Sequence, residues 1–286
     1  MSRRHLLMLL ALAAIWGSSF MFIEIALRDL APSTLILLRM ASGAIALAVY
    51  IKATGRCFAA LLPYARPLAV LGLVNTAVPF FLIAWGQQYI DSGLAAILNA
   101  SAPLFTALFA ISYDHSQRVT GMRLAGVVLG FSGVVLLVGF ELSGGERAVV
   151  GGLAVVGASA CYGLGGLFAG RRFPGLQPSL VAFGTLVWST LYVLPFGAAQ
   201  ASSLGWEAIG SVLYLGVAAT GVAYLLYFGL IAGAGASKAV LVTYLVPSLA
   251  LVYGAAFLDE GITALALAGL ALVLAGVALG TGSVRR

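Results

Sequence analysis

Ten runs of about twenty apolar residues, parted by short polar breaks, constrain this chain more than any other feature. They cover residues 6–27, 33–51, 68–88, 93–112, 121–140, 149–170, 179–197, 207–231, 238–256 and 262–281. A hydrocarbon layer about 30 Å thick takes a helix of roughly 20 residues, and inside it every backbone N–H and C=O must find a partner within the chain. Transmembrane barrels read instead as alternating segments of about ten residues. The runs here are too long and too uniformly apolar for that, so the expected fold is an all-α integral membrane protein of ten transmembrane helices. Composition agrees: 62% of the residues are apolar and 8% charged, with a mean hydropathy of +1.09. A water-facing globule carries roughly a quarter charged residues.

The runs also repeat. AAILNASAPLFTALFAIS from Ala95, a polar break around Asp114, and RLAGVVLGFSGVVLLVG to Gly139 are matched by AVLVTYLVPSLALVYGAAF from Ala239, a break at Asp259 and Glu260, and ALAGLALVLAGVALGTG ending at Gly282. Pro103 falls on Pro247 at an offset of 144 residues, as do Leu71, Gly72 and Thr76 on Leu215, Gly216 and Thr220. An offset of 146 lays Gly17, Pro32 and Ser33 on Gly163, Pro178 and Ser179. The order is collinear, which marks a duplication into two similar halves, residues 5–140 and 149–282. Each half holds five runs, an odd number, so the second must enter the membrane inverted. Inverted repeats of this kind are the architecture of many alternating-access transporters.

The net charge of +6 is a topology signal and not a nucleic-acid patch. With a cytoplasmic N-terminus, Arg3, Arg4, Lys52, Arg56, Arg66, Arg118, Arg123, Arg171, Arg172, Lys238, Arg285 and Arg286 lie on the cytoplasmic side, against Arg28, Arg39 and Arg147 toward the other. That positive-inside bias puts both termini in the cytoplasm. The start SRRHLLMLLALAA has the look of a secretory signal, but its apolar character continues to Leu27 and it has a counterpart at 149–170, so it is expected to be the first membrane helix. Cys57 and Cys161 are read as small apolar residues with no disulfide.

Within the spans, polar residues and prolines recur together. Asn75 and Pro79, Asn99 and Pro103, and Thr243 and Pro247 are each four apart. Proline removes one helical N–H and frees the carbonyl four residues earlier. Freed backbone groups at membrane depth must be buried in protein or line a wet cavity. Any one proline could serve packing alone; three such pairs point to a central cavity. Tyr162, Tyr224 and Tyr244 lie toward the bilayer centre, where a hydroxyl needs a partner or water, whereas Trp85, Tyr89 and Trp206 suit an interfacial belt. Glu24 and Arg39 are the ionisable residues deepest in apolar runs. They form either an ion pair locking the first span to the second or, for Glu24, a proton-coupling carboxylate; closeness to the interface favours the pair. Glycines of the fifth and tenth spans, Gly126, Gly130, Gly133, Gly269, Gly276 and Gly280, are spaced for close helix packing and not for ligand contact.

WGSSF at Trp16–Phe20, PSTLILLRMASG in the second span, the Asn99–Pro103 stretch and the glycine-spaced fifth and tenth spans, in this order and in two copies, resemble the EamA family of the drug/metabolite transporter superfamily. Within it the chain is most similar to YddG-type amino-acid exporters. In the second copy Tyr162 and Leu164 replace the tryptophan and first serine of the motif, which weakens the likeness there. The resemblance implies a multi-pass carrier of the bacterial inner membrane with a cavity built from the first, third, fourth, sixth, eighth and ninth helices. Matching polar and aromatic positions then give Trp16, Ser19, Asn75, Phe80, Asn99, Tyr162, Tyr224 and Tyr244 as substrate-binding, with Pro79, Pro103 and Pro247 shaping the kinks.

Other chemistries find little footing. There is no GxxxxGK[ST] motif for ATP, no HExxH or clustered acid pair for metal or acid–base work, and no serine beside a catalytic partner, so neither an enzyme, a metal, a cofactor nor an ATPase subunit is expected. A passive channel remains the rival reading. No Lys or Arg is expected near the midplane, which disfavours phosphorylated substrates. The expected cargo is a neutral or zwitterionic metabolite, with amino acids, including aromatic or bulky neutral ones, implied by the resemblance.

Overall fold

A computed structural model describes residues 1–113, 121–140, 145–197 and 205–280. Asp114, His115, Arg118, Gly282, Arg285 and Arg286 lie outside the described residues. Among the described residues the chain is helical, with no strand. We number the membrane helices α1, Arg3–Leu27; α2, Pro32–Ala53; α3, Ala65–Gly72, Leu73–Ala77 and Val78–Gly86; α4, Ser92–Asn99 and Ala102–Tyr113; and α5, Met122–Phe140. The second half gives α6, Glu146–Arg172; α7, Pro178–Gly197; α8, Trp206–Leu213, Tyr214–Val222 and Ala223–Ala234; α9, Ala236–Ala239 and Val242–Phe257; and α10, Ala264–Gly280. Eight of these stretches are long and apolar enough to cross a membrane, and Val242–Phe257 and Ala264–Gly280 are shorter apolar helices. Local chemistry sets several ends. Ser2 Oγ accepts the His5 N–H at 3.3 Å to cap α1, Pro32 opens α2 where its missing N–H costs nothing, and Arg171 and Arg172 close α6. Outward-facing Ile45, Val49, Val135 and Leu191 are exposed apolar side chains, as a lipid-facing surface requires.

The packing is an exchange between halves. α5 and α10 run antiparallel: a Cβ at Gly133 would meet Leu272 Cβ at 2.8 Å, while one at Gly126 would strike Gly280 and one at Gly276 would strike Gly130. α2 and α7 are antiparallel too, with Thr34 Oγ1 donating to the Gly197 carbonyl at 3.0 Å at one end and Arg56 donating to Ser179 Oγ at the other. Two further sets of contacts come as matched pairs. Gly17 of α1 lies against Leu249 and Ala250 of α9, with its would-be Cβ 2.9 Å from Leu249 Cβ; Gly163 of α6 lies against Phe105 and Thr106 of α4, 3.0 Å from Phe105 Cβ. Likewise Gly216 of α8 abuts the Arg39 carbonyl of α2, 2.7 Å away, and Gly72 of α3 abuts the Thr185 carbonyl of α7, 2.9 Å away. Each residue in the second contact of a pair is the repeat counterpart of one in the first. Equivalent helices of the two halves therefore run in opposite directions, and the glycines sit where backbones touch.

Four helices are interrupted. α3 and α8 each carry a π-helical stretch, Leu73–Ala77 and Tyr214–Val222, at corresponding places in the two halves. α4 breaks at Ala100 and Ser101, and α9 at Val240 and Leu241. Pro79 and Pro103 stand at the start of the helix that resumes after its break, as the sequence suggests. In α9 the break precedes Thr243, and the helix runs on through Pro247. The π-stretch of α8 contains no proline, and its Thr220 Oγ1 instead donates to the Leu215 carbonyl at 2.8 Å, a bond that spans the wider turn. Carbonyls near the interruptions are taken up by side chains of other helices: Ser159 Oγ donates to the Leu98 and Asn99 carbonyls at 3.2 and 3.3 Å, and Ser189 Oγ to the Gly72 carbonyl at 2.9 Å.

Candidate central site

Several of the expected aromatic and amide side chains lie at or beside the interruptions. Phe80 follows the π-stretch of α3, and its ring lies 6.3 Å, edge-on, from that of Tyr162 on α6. The half-buried Tyr162, Tyr224 and Tyr244 pack against the same core that holds Phe80. Trp16 of α1 donates its indole N–H to the Ala219 carbonyl at 3.2 Å, inside the π-stretch of α8, and its ring is 5.4 Å from Tyr227. Of the expected site residues, Asn99 and Tyr244 each carry a buried oxygen with no hydrogen-bond partner among the described residues, Oδ1 and the hydroxyl. Asn99 is the last residue before the break in α4, so its side chain is held at the end of a helix whose backbone has just been released.

Not every expected residue keeps a free polar group. Ser19 is buried and its hydroxyl donates to the Ile15 carbonyl one turn back at 2.9 Å. Asn75, in the π-stretch of α3, packs against Gly165 of α6, where a Cβ would come 2.7 Å from its own Cβ.

The predicted pairing of Glu24 with Arg39 is not what the structure forms. Arg39 is 6% exposed; its Nε–H donates to Thr220 Oγ1 at 3.2 Å and its guanidinium carbon stands 4.2 Å from the centre of the Phe80 ring. Its electrostatic neighbours are Tyr162 and Tyr224. Glu24 looks toward the far end of α1, among Gln87, Arg28, Asp91 and Glu260. Glu24 lies about one turn from the C-terminal end of α1 among those groups, whereas Arg39 is drawn across to α8 and α3 by Thr220 and Phe80. The expectation of no fixed cation beside the site is corrected with it: Arg39 lies over a predicted site residue. Sequence reasoning missed Thr220 as its partner, although the match of Thr76 with Thr220 between the repeats had already marked that position.

At the Glu24 end, Glu260 in the α9–α10 connection caps α4. Its Oε1 accepts the Ser92 N–H at 2.8 Å and its Oε2 the Gly93 N–H at 3.0 Å. Gln87 Nε2 donates to the Phe20 carbonyl at 2.9 Å, joining α3 to α1. A small open cleft lies here, lined by Asp91, Leu94, Leu251, Glu260 and Thr263 among others. Burial, and then the negative charge of Glu260, hold the Asp91 carboxyl above its ordinary value.

Ten apolar helices among the described residues, four of them interrupted and equivalent ones antiparallel, define a multi-pass membrane protein with the architecture of a small-molecule carrier. The model of the EamA-like transporter family matches residues 3–139 and again residues 149–281, and the chain belongs to this family. It is a transporter of the inner membrane. Among curated relatives, it is 23% identical to the uncharacterized transporter YoaV of Bacillus subtilis over 97% of both chains. It is 24% identical to a probable amino-acid metabolite efflux pump of Escherichia coli, covering 100% of this chain and 97% of that one. A probable terminal-alkyne amino-acid exporter of Streptantibioticus cattleyicolor is 28% identical over 92% of this chain and 89% of the relative. One crystal structure, 20% identical, superposes over 100% of this chain and 99% of its own with a TM-score of 0.69, a likeness of fold.

Proposed function

We propose that the protein exports small neutral or zwitterionic metabolites, amino acids with aromatic or bulky neutral side chains among them, by alternating access around the central site. The observation that carries this reading is the two buried, unpartnered polar atoms, Asn99 Oδ1 and the Tyr244 hydroxyl, in a chain whose Phe80 and Tyr162 rings stand 6.3 Å apart. A buried polar atom without a partner is costly unless a ligand or water supplies one. Aromatic rings with a few fixed polar groups suit an amphipathic organic solute. Names given to relatives, an amino-acid metabolite efflux pump and an amino-acid exporter, support the same class.

The two repeats, residues 5–140 and 149–282, act in this reading as the inverted units that rock against each other, with both termini in the cytoplasm. Trp16, Asn75, Phe80, Asn99, Tyr162, Tyr224 and Tyr244 contact substrate, and Pro79 and Pro103 fix the bends beside them. Glu24, whose Oε2 is buried and unpartnered, is the carboxylate on which any proton coupling would rest. The test is uptake of a panel of radiolabelled amino acids into liposomes holding the purified protein, with and without an imposed pH gradient. Saturable uptake of neutral amino acids is expected. Its absence across the panel would overturn the substrate class, and a rate that follows the pH gradient and is lost in Glu24→Gln would assign Glu24 the proton.

A further inference from the structure

Arg39 is the charge at the centre of this protein that its own side chains leave unanswered. It is 6% exposed, and no carboxylate among the described residues pairs with it. Of the five N–H groups of a guanidinium, one, on Nε, is used, in the 3.2 Å bond to Thr220 Oγ1. The remaining four meet no acceptor among the described residues. The Phe80 ring, 4.2 Å from the guanidinium carbon, supplies a favourable face for a cation but no hydrogen-bond acceptor and no counter-charge. A desolvated cation in this state is costly, and membrane proteins keep one where it meets a partner or a path.

The scaffold itself does not call for the charge. The contact between α2 and α8, with Gly216 against the Arg39 carbonyl, is repeated between α3 and α7, with Gly72 against the Thr185 carbonyl. At that second contact the residue corresponding to Arg39 is Thr185, which is buried and donates its hydroxyl to the Val181 carbonyl at 2.7 Å. The same helix crossing is thus built once with a neutral side chain and once with a guanidinium. The copy with the guanidinium has Tyr162 and Tyr224 as its electrostatic neighbours.

We propose that Arg39 is the receptor for the carboxylate of the transported molecule, so that the site selects a singly negative carboxylate group on an aromatic or apolar body. The planar fork of arginine presents parallel N–H groups that match the two oxygens of a carboxylate. A single guanidinium balances one negative charge and leaves a doubly charged phosphate half-compensated, which separates this cargo from phosphorylated metabolites. Phe80 and Tyr162 then border the carboxylate and meet the apolar part of the molecule. This specificity rests on the carrier reading given above but not on the cargo being an amino acid.

Binding to the purified full chain decides the matter, read by thermal shift and by tryptophan fluorescence. The probes are matched acids and amides: phenylalanine with phenylalaninamide, leucine with leucinamide, and phenylpropionate with phenylpropanamide. In the wild type each acid that binds should do so at least about tenfold more tightly than its amide, as expected for exchanging a charge-assisted bidentate contact for a neutral one. Arg39→Gln should bring the ratio close to one, and Arg39→Lys should retain part of it. Thr185→Val, at the corresponding position of the other repeat, should leave the ratio unchanged. Should Arg39→Gln fail to insert, the wild-type ratio and the Arg39→Lys ratio still decide: no acid preference in the wild type, or an equal one in Arg39→Lys, overturns the proposal. A well-inserted Arg39→Gln protein that keeps the wild-type ratio overturns it as well. Binding of phenylpropionate but of neither amino acid would contradict the amino-acid reading while upholding the carboxylate receptor. Amino-acid binding with no acid–amide difference would do the reverse.

Discussion

Asn99 Oδ1 and the Tyr244 hydroxyl are buried with no hydrogen-bond partner among the described residues, and in the proposed reading a solute supplies one. Each forms no bond within the protein, so removing it costs the fold little and the bound state much. Asn99→Ala and Tyr244→Phe proteins, inserted to wild-type levels, are therefore expected to lose at least about tenfold in initial transport rate at low substrate, with thermal stability close to wild type. Rates measured in liposomes beside melting curves check both halves of that statement; wild-type rates would remove these atoms from the site. Ser19 should behave differently, because its hydroxyl is already given to the Ile15 carbonyl, and Ser19→Ala should transport within about twofold of wild type. At this scale depth in an apolar span marks Asn99 and Tyr244 as polar groups in need of a partner, and each has a buried oxygen with none among the described residues. Arg39 was not readable in the same way, because depth along the sequence gives no direction across the bundle. Arg39 turns to Thr220 and Phe80 of other helices, while Glu24 turns to the Asp91 and Glu260 end.

The breaks and close approaches of whole helices were more legible, with two exceptions: α9 breaks at Val240 and Leu241 and runs on through Pro247, which was expected to kink it, and α8 is interrupted without a proline. Proline marked the interruptions of α3 and α4, but the π-stretch Tyr214–Val222 of α8 has no such punctuation and could be found only through its repeat partner Leu73–Ala77. The glycines of α5 and α10 were correctly assigned to packing. Gly276→Val would drive a side chain into Gly130, and we expect it to destabilise the α5–α10 pair by about 1–3 kcal/mol, read as a lower melting temperature with substrate affinity retained. The cap on α4 gives a pH prediction. Because the Asp91 carboxyl is held above its ordinary value by burial and by Glu260, the folded protein binds a proton there more readily than the unfolded chain does. Stability from this group is therefore greatest on the acid side and falls as pH rises from the ordinary aspartate range through the raised value. The groups facing Asp91 are Glu260, from the α9–α10 connection, and Glu24, from α1, both acidic. Melting temperatures of wild type and Asp91→Asn across that range should converge at low pH, with the wild type falling below the variant as pH rises; parallel curves would remove Asp91 from the balance.

Across the molecule, the close crossings have mates made by the counterpart residues of the other half: α1 with α9 and α6 with α4, α2 with α8 and α7 with α3. Sequence alone yielded the ten spans and the two copies, because hydropathy and collinear identities are linear properties. It did not yield the interdigitation, in which the halves share one core. That arrangement bears on mechanism. A site formed where two inverted units cross can be opened from one side or the other by the same motion run in opposite senses. A carrier of this kind returns faster when loaded, whereas a pore conducts without regard to what waits on the far side. The decisive measurement is uptake of labelled phenylalanine into liposomes preloaded with unlabelled phenylalanine or left empty. Alternating access predicts saturable uptake that is accelerated several-fold by internal substrate; uptake that rises linearly with concentration and ignores the internal pool would contradict it.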